Sequence, residues 1–353
     1  MTSQPENCEV IIGVDTHADQ HTAAVIDTLG RVLDTCQITT DRAGFKQLLK
    51  WARSFGTVTR AGVEGTGSYG AGLCRYLRDH DIAVFEIDRP NRRMRRRRGK
   101  SDTADAEAAA RSVLAGDHVV IAKDTTGAVE AIRMLHITRK SAVKAKVQAG
   151  NQIKDLIVTA PEPIKDQLKG LTTRQRVRTI KKWRPDPNVT DPTTAVRYTL
   201  HQLANRWLDL DTEIKRISKT RHQLLTTTAP NLLNQHGCGD DTASVLLIAA
   251  GQNPDRIKTE ASLAALCGVS PIDASSGKHT THRLNRGGNR QANSALHTIM
   301  LVRWRNCPET HTYINKRRTQ GKPDRHIQRS LKRAIARRLH HIILHDLTNP
   351  PLT

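Results

Sequence analysis

Four acidic residues in the first third of the chain have types and spacings that suit divalent cations. Asp15 and Glu64 each end a short, apolar, strand-like run. Asp102 and Asp105 lie three residues apart, so a helix would present both on one face. Carboxylates placed in this way hold hard cations such as Mg²⁺ or Mn²⁺ against a phosphodiester. The pattern predicts a two-metal phosphoryl-transfer site, with three nearby acids as alternative ligands: Asp19, Asp27 and Glu107.

A serine far downstream is a candidate nucleophile for the same chemistry. Ser276 precedes a glycine, and a Ser-Gly pair by itself most often marks a turn. Basic and imidazole groups follow, and they would lower the pKa of the serine and hold a pentavalent phosphate: Lys278, His279, His282, Arg283 and Arg286. We interpret the two histidines as phosphate contacts or general bases, because no cysteine or acid partner lies nearby. The adjacent hydroxyl of Ser275 is an alternative nucleophile.

The most basic stretch of the chain lies directly before Asp102. Residues 89–98 contain seven arginines. Guanidinium groups beside a carboxylate cluster can hold a phosphate backbone and offset the mutual repulsion of the acids. The alternative is a solvated charge run or a localisation-like patch. The residues that we predict to contact nucleic acid, here and after the serine, are Arg92, Arg93, Arg95, Arg96, Arg97, Arg98, Lys100, Lys278, Arg283, Arg286 and Arg290.

The charge of the whole chain indicates the same class of partner. The 353 residues include 56 Lys and Arg against 34 Asp and Glu, a net charge of +22. Because so large a charge destabilises a compact fold, it favours a polyanionic partner, with nucleic acid first and an anionic membrane surface second. Aromatic residues make up 3%, too few for base stacking to be the main contact. We therefore expect contacts to the phosphate backbone.

Other features of the composition predict where the protein works. No apolar run of about 18 residues is present, so no membrane span is expected. The polar and acidic first residues are unlike a secretory signal. The six cysteines are scattered without a Cys-x-x-Cys pair, which is typical of reduced thiols and not of a zinc site or a disulfide framework. We expect a cytoplasmic, nucleoid-associated protein.

Hydrophobic patterning predicts an α/β domain that would position the acids. Three β-like runs are followed by a helix capped by Asp41, and then by alternating strand, helix and strand. The predicted segments are Val10–Asp15, His21–Asp27, Val32–Ile38, 41–53, Ala61–Glu64, Gly70–His80 and Ile82–Ile87. This order matches the mixed sheet of ribonuclease H-like nucleases, in which Asp15 would lie on the central strand. A helix capped by Ser101 would then carry Asp102 and Asp105.

The rest of the chain predicts helices. Residues 126–160 and 194–226 have apolar side chains at helical spacing, which predicts an antiparallel hairpin or short coiled coil. Several prolines between these segments predict a connector or hinge. Gly237–Gly239 followed by an apolar helix resembles a helix-hairpin-helix, with a plain tight turn as the alternative. A final helix would begin at Asp324. The predicted domains are an acidic α/β domain, a helical arm and a mostly helical domain with the serine: residues 1–122, 123–228 and 229–353.

Five ordered motifs resemble the bridge-RNA-guided DEDD transposases of the insertion-sequence family one-hundred-and-ten. They are Gly13–Thr16, Val63–Tyr69, Lys100–Ala106, Gly268–Lys278 and Arg283–Arg290. The resemblance covers nearly the whole chain, and the ordered set is far more specific than any single motif. It implies a RuvC-type, ribonuclease H-like first domain, a coiled-coil arm and a C-terminal transposase domain.

The same resemblance implies roles for individual residues. The acids that would bind Mg²⁺ or Mn²⁺ are Asp15, Glu64, Asp102 and Asp105. Ser276 would form a covalent phosphoserine link to DNA, and its spacing of five from Pro271 favours it over Ser275. The implied partners are donor DNA, target DNA, a structured bridge RNA and further copies of the chain. In the implied dimer or tetramer, each active site combines the acids of one subunit with the serine of another.

Two other functions are consistent with the sequence. One is a hydrolytic nuclease of the Holliday-junction-resolvase type, in which the acids activate water and Ser276 has no chemical part. The other is a non-catalytic RNA- or DNA-binding scaffold, which the charge alone would favour. Loss of cleavage in Asp15→Asn would exclude the scaffold, and a DNA adduct lost in Ser276→Ala would exclude simple hydrolysis.

Overall fold

The computed structural model describes residues 8–87, 101–116, 119–277 and 282–349. The predicted nucleic-acid contacts from Arg92 to Lys100 lie outside these residues, as do Lys278 and His279. None of the described helices combines the length and the apolar character that a membrane span requires.

A six-stranded mixed sheet forms the N-terminal part of the protein. Its strand order is β3-β2-β1-β4-β5-β6, and β1 pairs antiparallel with β2 and parallel with β4. The predicted strands are confirmed, and a sixth strand antiparallel to β5 was missed because three residues are too few to show a period. The strands are β1 Glu9–Thr16, β2 Gln20–Asp27, β3 Val32–Thr39, β4 Thr57–Val63, β5 Ala83–Ile87 and β6 Val119–Ile121.

Helices cover both faces of this sheet, because its inner strands are apolar on both sides. In β1 and β2, six consecutive residues are buried in each strand. One face packs against α1 (Arg42–Arg53) and α2 (Ala71–Arg78). The other face packs against α3 (Asp102–Ala115), whose Ala109 and Val113 join a core with Ile11.

Two glycines allow α3 to lie directly on the strands. A Cβ atom on Gly13 would stand 2.0 Å from the Ala106 carbonyl oxygen, and one on Gly62 would stand 2.7 Å from the Ala109 carbonyl oxygen. Both obstacles are backbone atoms of α3, which cannot rotate away as a side chain can. The glycines therefore set the distance between the sheet and the middle of α3.

Two long antiparallel helices, α4 (Ala128–Thr159) and α7 (Pro192–Thr228), form the predicted arm. The proline-containing segment between them, predicted as a connector or hinge, has helical structure that was not predicted. It contains α5 (Glu162–Leu168) and α6 (Thr173–Lys181), which pack with the neighbouring ends of α4 and α7 around a small apolar core. The prolines are tolerated because they lie at helix starts and between helices, where no helical hydrogen bond requires the N–H that proline lacks. We call this terminal bundle the arm cap.

The C-terminal part is mostly helical and shares its core with the base of the arm through Val129, Ile132 and Leu225. The apolar helix after Gly239 and the final helix are confirmed. The helices α11 and α12 were not predicted. The helices are α8 Pro230–Leu233, α9 Asp240–Ala250, α10 Glu260–Leu266, α11 Arg290–Asn306, α12 Pro308–Thr319 and α13 Asp324–Thr348. A short hairpin of β7 (Ile272–Asp273) and β8 (His282–Arg283) carries the serine segment.

Hydrogen bonds from the segment after α9 join the C-terminal helices to the sheet. Arg256 donates from Nε to the Ile121 carbonyl (3.1 Å) and from Nη1 to the Ala249 carbonyl (2.7 Å). Asn253 donates to the Ala122 carbonyl (3.2 Å) and accepts from the Asp124 N–H (3.0 Å). Backbone atoms next to β6 are thus held by side chains from a segment about 130 residues downstream.

Candidate active site

Asp15 occupies the end of β1 and faces α3. Strand alternation puts it on the same face as Ile11 and Gly13, and that face packs against α3. The residue is 8% exposed. The sequence thus places one carboxylate in a nearly buried position beside a helix start.

The first turn of α3 brings two more acids to this position. Ser101 accepts a hydrogen bond from the Ala104 N–H (3.2 Å), which fixes the start of α3 at the predicted residue. Asp102 is half-buried and Asp105 is 6% exposed. Their carboxylates benefit from the positive end of the helix dipole, which offsets part of the cost of placing acids together.

The electrostatics of Asp15 indicate a converging acidic cluster. Burial raises the pKa of Asp15, the nearby His17 lowers it, and the charges of Asp105 and Asp102 raise it further. Asp102 and Asp105, which are almost ninety residues from Asp15 in sequence, therefore lie close enough to raise its pKa. A divalent cation is the natural counter-charge for such a group.

His17 is a residue of this site that the sequence analysis missed. Its Nε2 atom lies 3.3 Å from Asp15 Oδ2 and 3.5 Å from Asp102 Oδ2. One ligand atom from each of these three residues lies within 4.8 Å of the other two, a spacing that a single metal ion can span. The signal was present in Asp15-Thr16-His17, because residues i and i+2 of an extended chain face the same way.

A second histidine fixes the backbone that carries His17. The N–H of His17 donates to Nδ1 of His21 (3.3 Å), so the proton of the neutral His21 ring is on Nε2. His21 is fully buried in β2 and stacks on Phe45. The connection between β1 and β2 is thereby held by a ring embedded in the core.

Glu64 follows β4 at the same end of the sheet. Its N–H donates to the Val14 carbonyl (3.0 Å), and its carbonyl accepts from the Thr16 hydroxyl (2.8 Å). These two bonds continue the parallel pairing of β1 and β4 by one residue, which brings the Glu64 backbone beside Asp15. The half-buried Glu64 is thus next to the cluster.

The three alternative acids differ in their surroundings. Asp27 pairs with Arg31 (2.7 Å) and faces Val10, at the opposite end of β1 from Asp15. Glu107 pairs with Arg111 (2.9 Å) along α3. Asp19 lies near the cluster, where it lines a cleft of about 540 Å³ together with His17 and Asp102.

The serine segment lies beside the C-terminal helices. Ser276 is exposed and follows β7, whereas the Ser275 hydroxyl donates a hydrogen bond to the Asp273 carboxylate. His282 Nδ1 lies 4.0 Å from Asp273 Oδ1, so the expectation that no acid accompanies this histidine was wrong. The hairpin pairs Ile272 with Arg283 and Asp273 with His282, residues eleven and nine apart in sequence.

A basic cleft of about 560 Å³ lies between the hairpin of β7 and β8 and the helix α13. Its lining includes the predicted contact Arg283, and also Lys332, whose pKa is lowered by burial and by the charge of Arg329. Glu260 binds Arg333 (2.8 Å) and Arg337 (2.9 Å) at one side of this cleft. The other two described contacts, Arg286 and Arg290, are exposed.

Within the described residues, Ser276 lines neither the cleft at Asp102 nor the cleft at Arg283. Among the described residues, the cleft at Asp102 is lined only by the N-terminal part, and the cleft at Arg283 only by the C-terminal part. The predicted acids Asp15, Asp102 and Asp105 do converge, with the Glu64 backbone beside them.

Comparison with known proteins gives matches in both parts of the chain. A model of DEDD transposases of the IS110 type matches residues 12–160, and a model described as "Transposase IS116/IS110/IS902 family" matches residues 229–315. A protein of Streptomyces coelicolor named "Insertion element IS110 uncharacterized 43.6 kDa protein" is 35% identical over 111 residues, which is 31% of this chain and 26% of the relative. The matched stretch thus spans about a quarter of that relative.

Proposed function

The chain belongs to the IS110 family of transposases, and we propose that it cuts and rejoins DNA through the acidic cluster and Ser276. The observation that carries the proposal is the meeting of Asp15, His17 and Asp102 at the end of β1. A site of this kind acts on phosphodiesters, and the net charge of +22 suits a nucleic-acid substrate.

We assign the N-terminal domain to the ribonuclease H-like, RuvC-type class. Three antiparallel strands followed by two parallel ones support this assignment, as does an acid at the end of the central strand β1. The second acid at the end of β4 and the acidic start of α3 complete the arrangement.

The donor set fits a divalent metal ion. Carboxylate oxygens of Asp15 and Asp102 and an imidazole nitrogen of His17 would hold it, with Glu64 and Asp105 as further ligands. We propose Mg²⁺ or Mn²⁺, because oxygen donors predominate and both ions are hard. When bound, the ion stabilises the charge that develops on the phosphate.

Ser276 is the proposed nucleophile. Its oxygen forms a bond to phosphorus while one ester bond between phosphorus and a deoxyribose oxygen breaks, and the serine proton is passed on to the sugar oxygen that leaves. The hydroxyl of another strand reverses the step, which restores the serine and joins the strands without a high-energy cofactor. Ser276 is preferred to Ser275 for its spacing of five from Pro271, since the hydrogen bond from the Ser275 hydroxyl to the Asp273 carboxylate does not decide between them.

The acids and the serine would act together across two copies of the chain. A composite site in a dimer or tetramer is supported by the cleft at Asp102, whose lining does not include Ser276. Donor and target DNA are the proposed substrates, and a structured bridge RNA is the proposed guide. The large excess of Lys and Arg supports a nucleic-acid partner of either kind.

Hydrolysis is the second candidate, and the self-contained cleft at Asp102 favours it, because one chain could then cleave with water alone. Supercoiled donor and target plasmids, incubated with the protein with and without RNA transcribed from the element's flank, distinguish the two. We expect recombination, and a DNA adduct on denaturing gels that is lost in Ser276→Ala and kept in Ser275→Ala. Cleavage that persists in Ser276→Ala without any adduct would establish hydrolysis instead.

A further inference from the structure

The arm cap has one strongly basic face that the acidic site and the serine segment do not explain. Residues 161–197 contain nine Lys and Arg against four Asp and Glu. Six of the nine cations fall within residues 173–184, where there is no acid. This concentration lies on and just after α6, at the end of the arm remote from the C-terminal core.

The fold of α6 sorts its residues into an apolar and a basic side. Val177 and Ile180 are fully buried in the core of the arm cap. The exposed cations occupy the remaining surface: Arg174, Arg178, Lys181, Lys182 and Arg184. A capping box at Thr172 and Gln175 fixes the start of the helix, so the basic side is presented on a rigid element.

Most acids near this face are already engaged. Glu162 pairs with Lys165 (3.0 Å), and Asp186 accepts the Asn188 N–H (2.8 Å). Asp191 caps α7. These acids do not neutralise α6, so the positive potential of the face extends into solvent.

Three of the cations have no ion pair with any residue in the described part of the chain: Arg178, Lys182 and Arg184. By contrast, Arg174 lies 3.8 Å from Asp211, and Lys181 donates to Asn205 (2.6 Å). Arg178 and Lys182 are one helical turn apart, and with Arg174 they form a row about 12 Å long. Each strand of a duplex carries a phosphate about every 3.4 Å along its axis, so such a row passes several phosphates.

We propose that this basic face of the arm cap binds the phosphate backbone of a nucleic-acid duplex. We expect the contact to be independent of base sequence, because Lys and Arg contacts to phosphates position a duplex without reading its bases. It is also separate from the cleft at Asp102 and from the cleft at Arg283, and would engage DNA or RNA at a distance from the acidic cluster.

The test is the salt dependence of duplex binding by the full-length protein. The variant replaces Arg178, Lys182 and Arg184 by Gln, and the probes are a DNA duplex and an RNA duplex of the same length and random sequence. Since each lost phosphate contact lowers the slope of log K against log salt by about 0.9, we expect a decrease of about 2 to 3. The matched control replaces Lys46, Lys50 and Arg53 on the exposed side of α1, which removes the same charge.

The outcomes separate the two nucleic acids and test the proposal. A loss with only one probe identifies that nucleic acid as the partner, and a loss with both indicates a general backbone contact. A slope equal to wild type, or a decrease no greater than in the α1 control, overturns the proposal. The melting temperature of the variant should match wild type, since all three side chains are exposed, and cleavage chemistry is not needed for the readout.

Discussion

At the scale of single residues, His17 distinguishes this site from a cluster made only of carboxylates. Its imidazole lies between the carboxylates of Asp15 and Asp102, which belong to a strand and to a helix far apart in sequence. Imidazole nitrogen suits Mn²⁺ better than Mg²⁺, because Mg²⁺ strongly prefers oxygen and retains its waters. The residue would therefore tune which ion is bound as well as how tightly.

We predict that His17→Ala weakens Mn²⁺ binding by about tenfold or more and Mg²⁺ binding by less. Calorimetric titration of each ion into the nucleic-acid-free protein measures both values. The control is His236→Ala, which removes an exposed imidazole from the C-terminal part. Unchanged Mn²⁺ affinity in His17→Ala, together with lost affinity in Asp15→Asn, would show that the imidazole is not a ligand.

At the scale of elements, the seating of α3 on the sheet determines whether the acids meet. Gly13 and Gly62 allow this approach, and the Ser101 cap sets the residue at which the helix begins. The chemistry of the site thus depends on two residues that carry no functional group.

We predict that Gly13→Ala reduces metal affinity and destabilises the fold by about 1–3 kcal/mol, because the new methyl group meets the α3 backbone. Metal titration and urea unfolding measure the two effects. Gly67→Ala is the control, since no heavy atom stands within 4 Å of its added methyl group. Wild-type metal affinity in Gly13→Ala would contradict the proposed dependence on helix seating.

The arm is stabilised by a charged junction between α4 and α7 at Asp211. This carboxylate accepts hydrogen bonds from Lys215 (2.8 Å) and Lys146 (2.9 Å), and these two contacts lower the pKa of Asp211 to about 2. A carboxyl whose folded-state pKa is depressed stabilises the fold above its unfolded value, which is about 3.9. This stabilisation is lost as the pH falls from about 4 towards 2.

We therefore predict that Asp211→Asn lowers the free energy of unfolding by about 1 kcal/mol at neutral pH. The difference from wild type should narrow as the pH falls below about 4. Urea unfolding at a series of pH values provides the measurement, with the exposed Asp209→Asn as the control. A difference that stays constant down to pH 3 would show that the ionised carboxylate does not stabilise the arm.

At the scale of the whole molecule, the sequence predicted the elements with strong periodicity and missed those fixed by tertiary contacts. The strands of the N-terminal sheet, the long arm helices and the last helix were predictable from apolar spacing. The arm cap was not predictable in this way, because Val177 and Ile180 are isolated apolar residues in a basic segment. They become part of a core only when α6 packs against α7. The helix α11 was not predicted either, because basic residues lie among its apolar positions.

The acidic site was predictable in part for a related reason. Acids at the ends of strands and at a helix start were visible in the sequence, and sheet order brings those ends together. The participation of His17 depends on the path of the chain between β1 and β2, which the buried His21 fixes through a single hydrogen bond. The proposed meeting of the serine with the acids involves a second copy of the chain, and the pattern of one sequence does not predict its position.

Iron-mediated cleavage of the polypeptide shows whether segments distant in sequence hold one divalent cation. Fe²⁺ bound in place of the natural ion, with ascorbate and peroxide, cuts the backbone next to its ligands. We expect cuts near residues 15–17 and 102–105 in the wild-type protein, suppressed by excess Mn²⁺ and absent in Asp15→Asn. Cuts confined to one segment, or unchanged in Asp15→Asn, would contradict such a shared metal site.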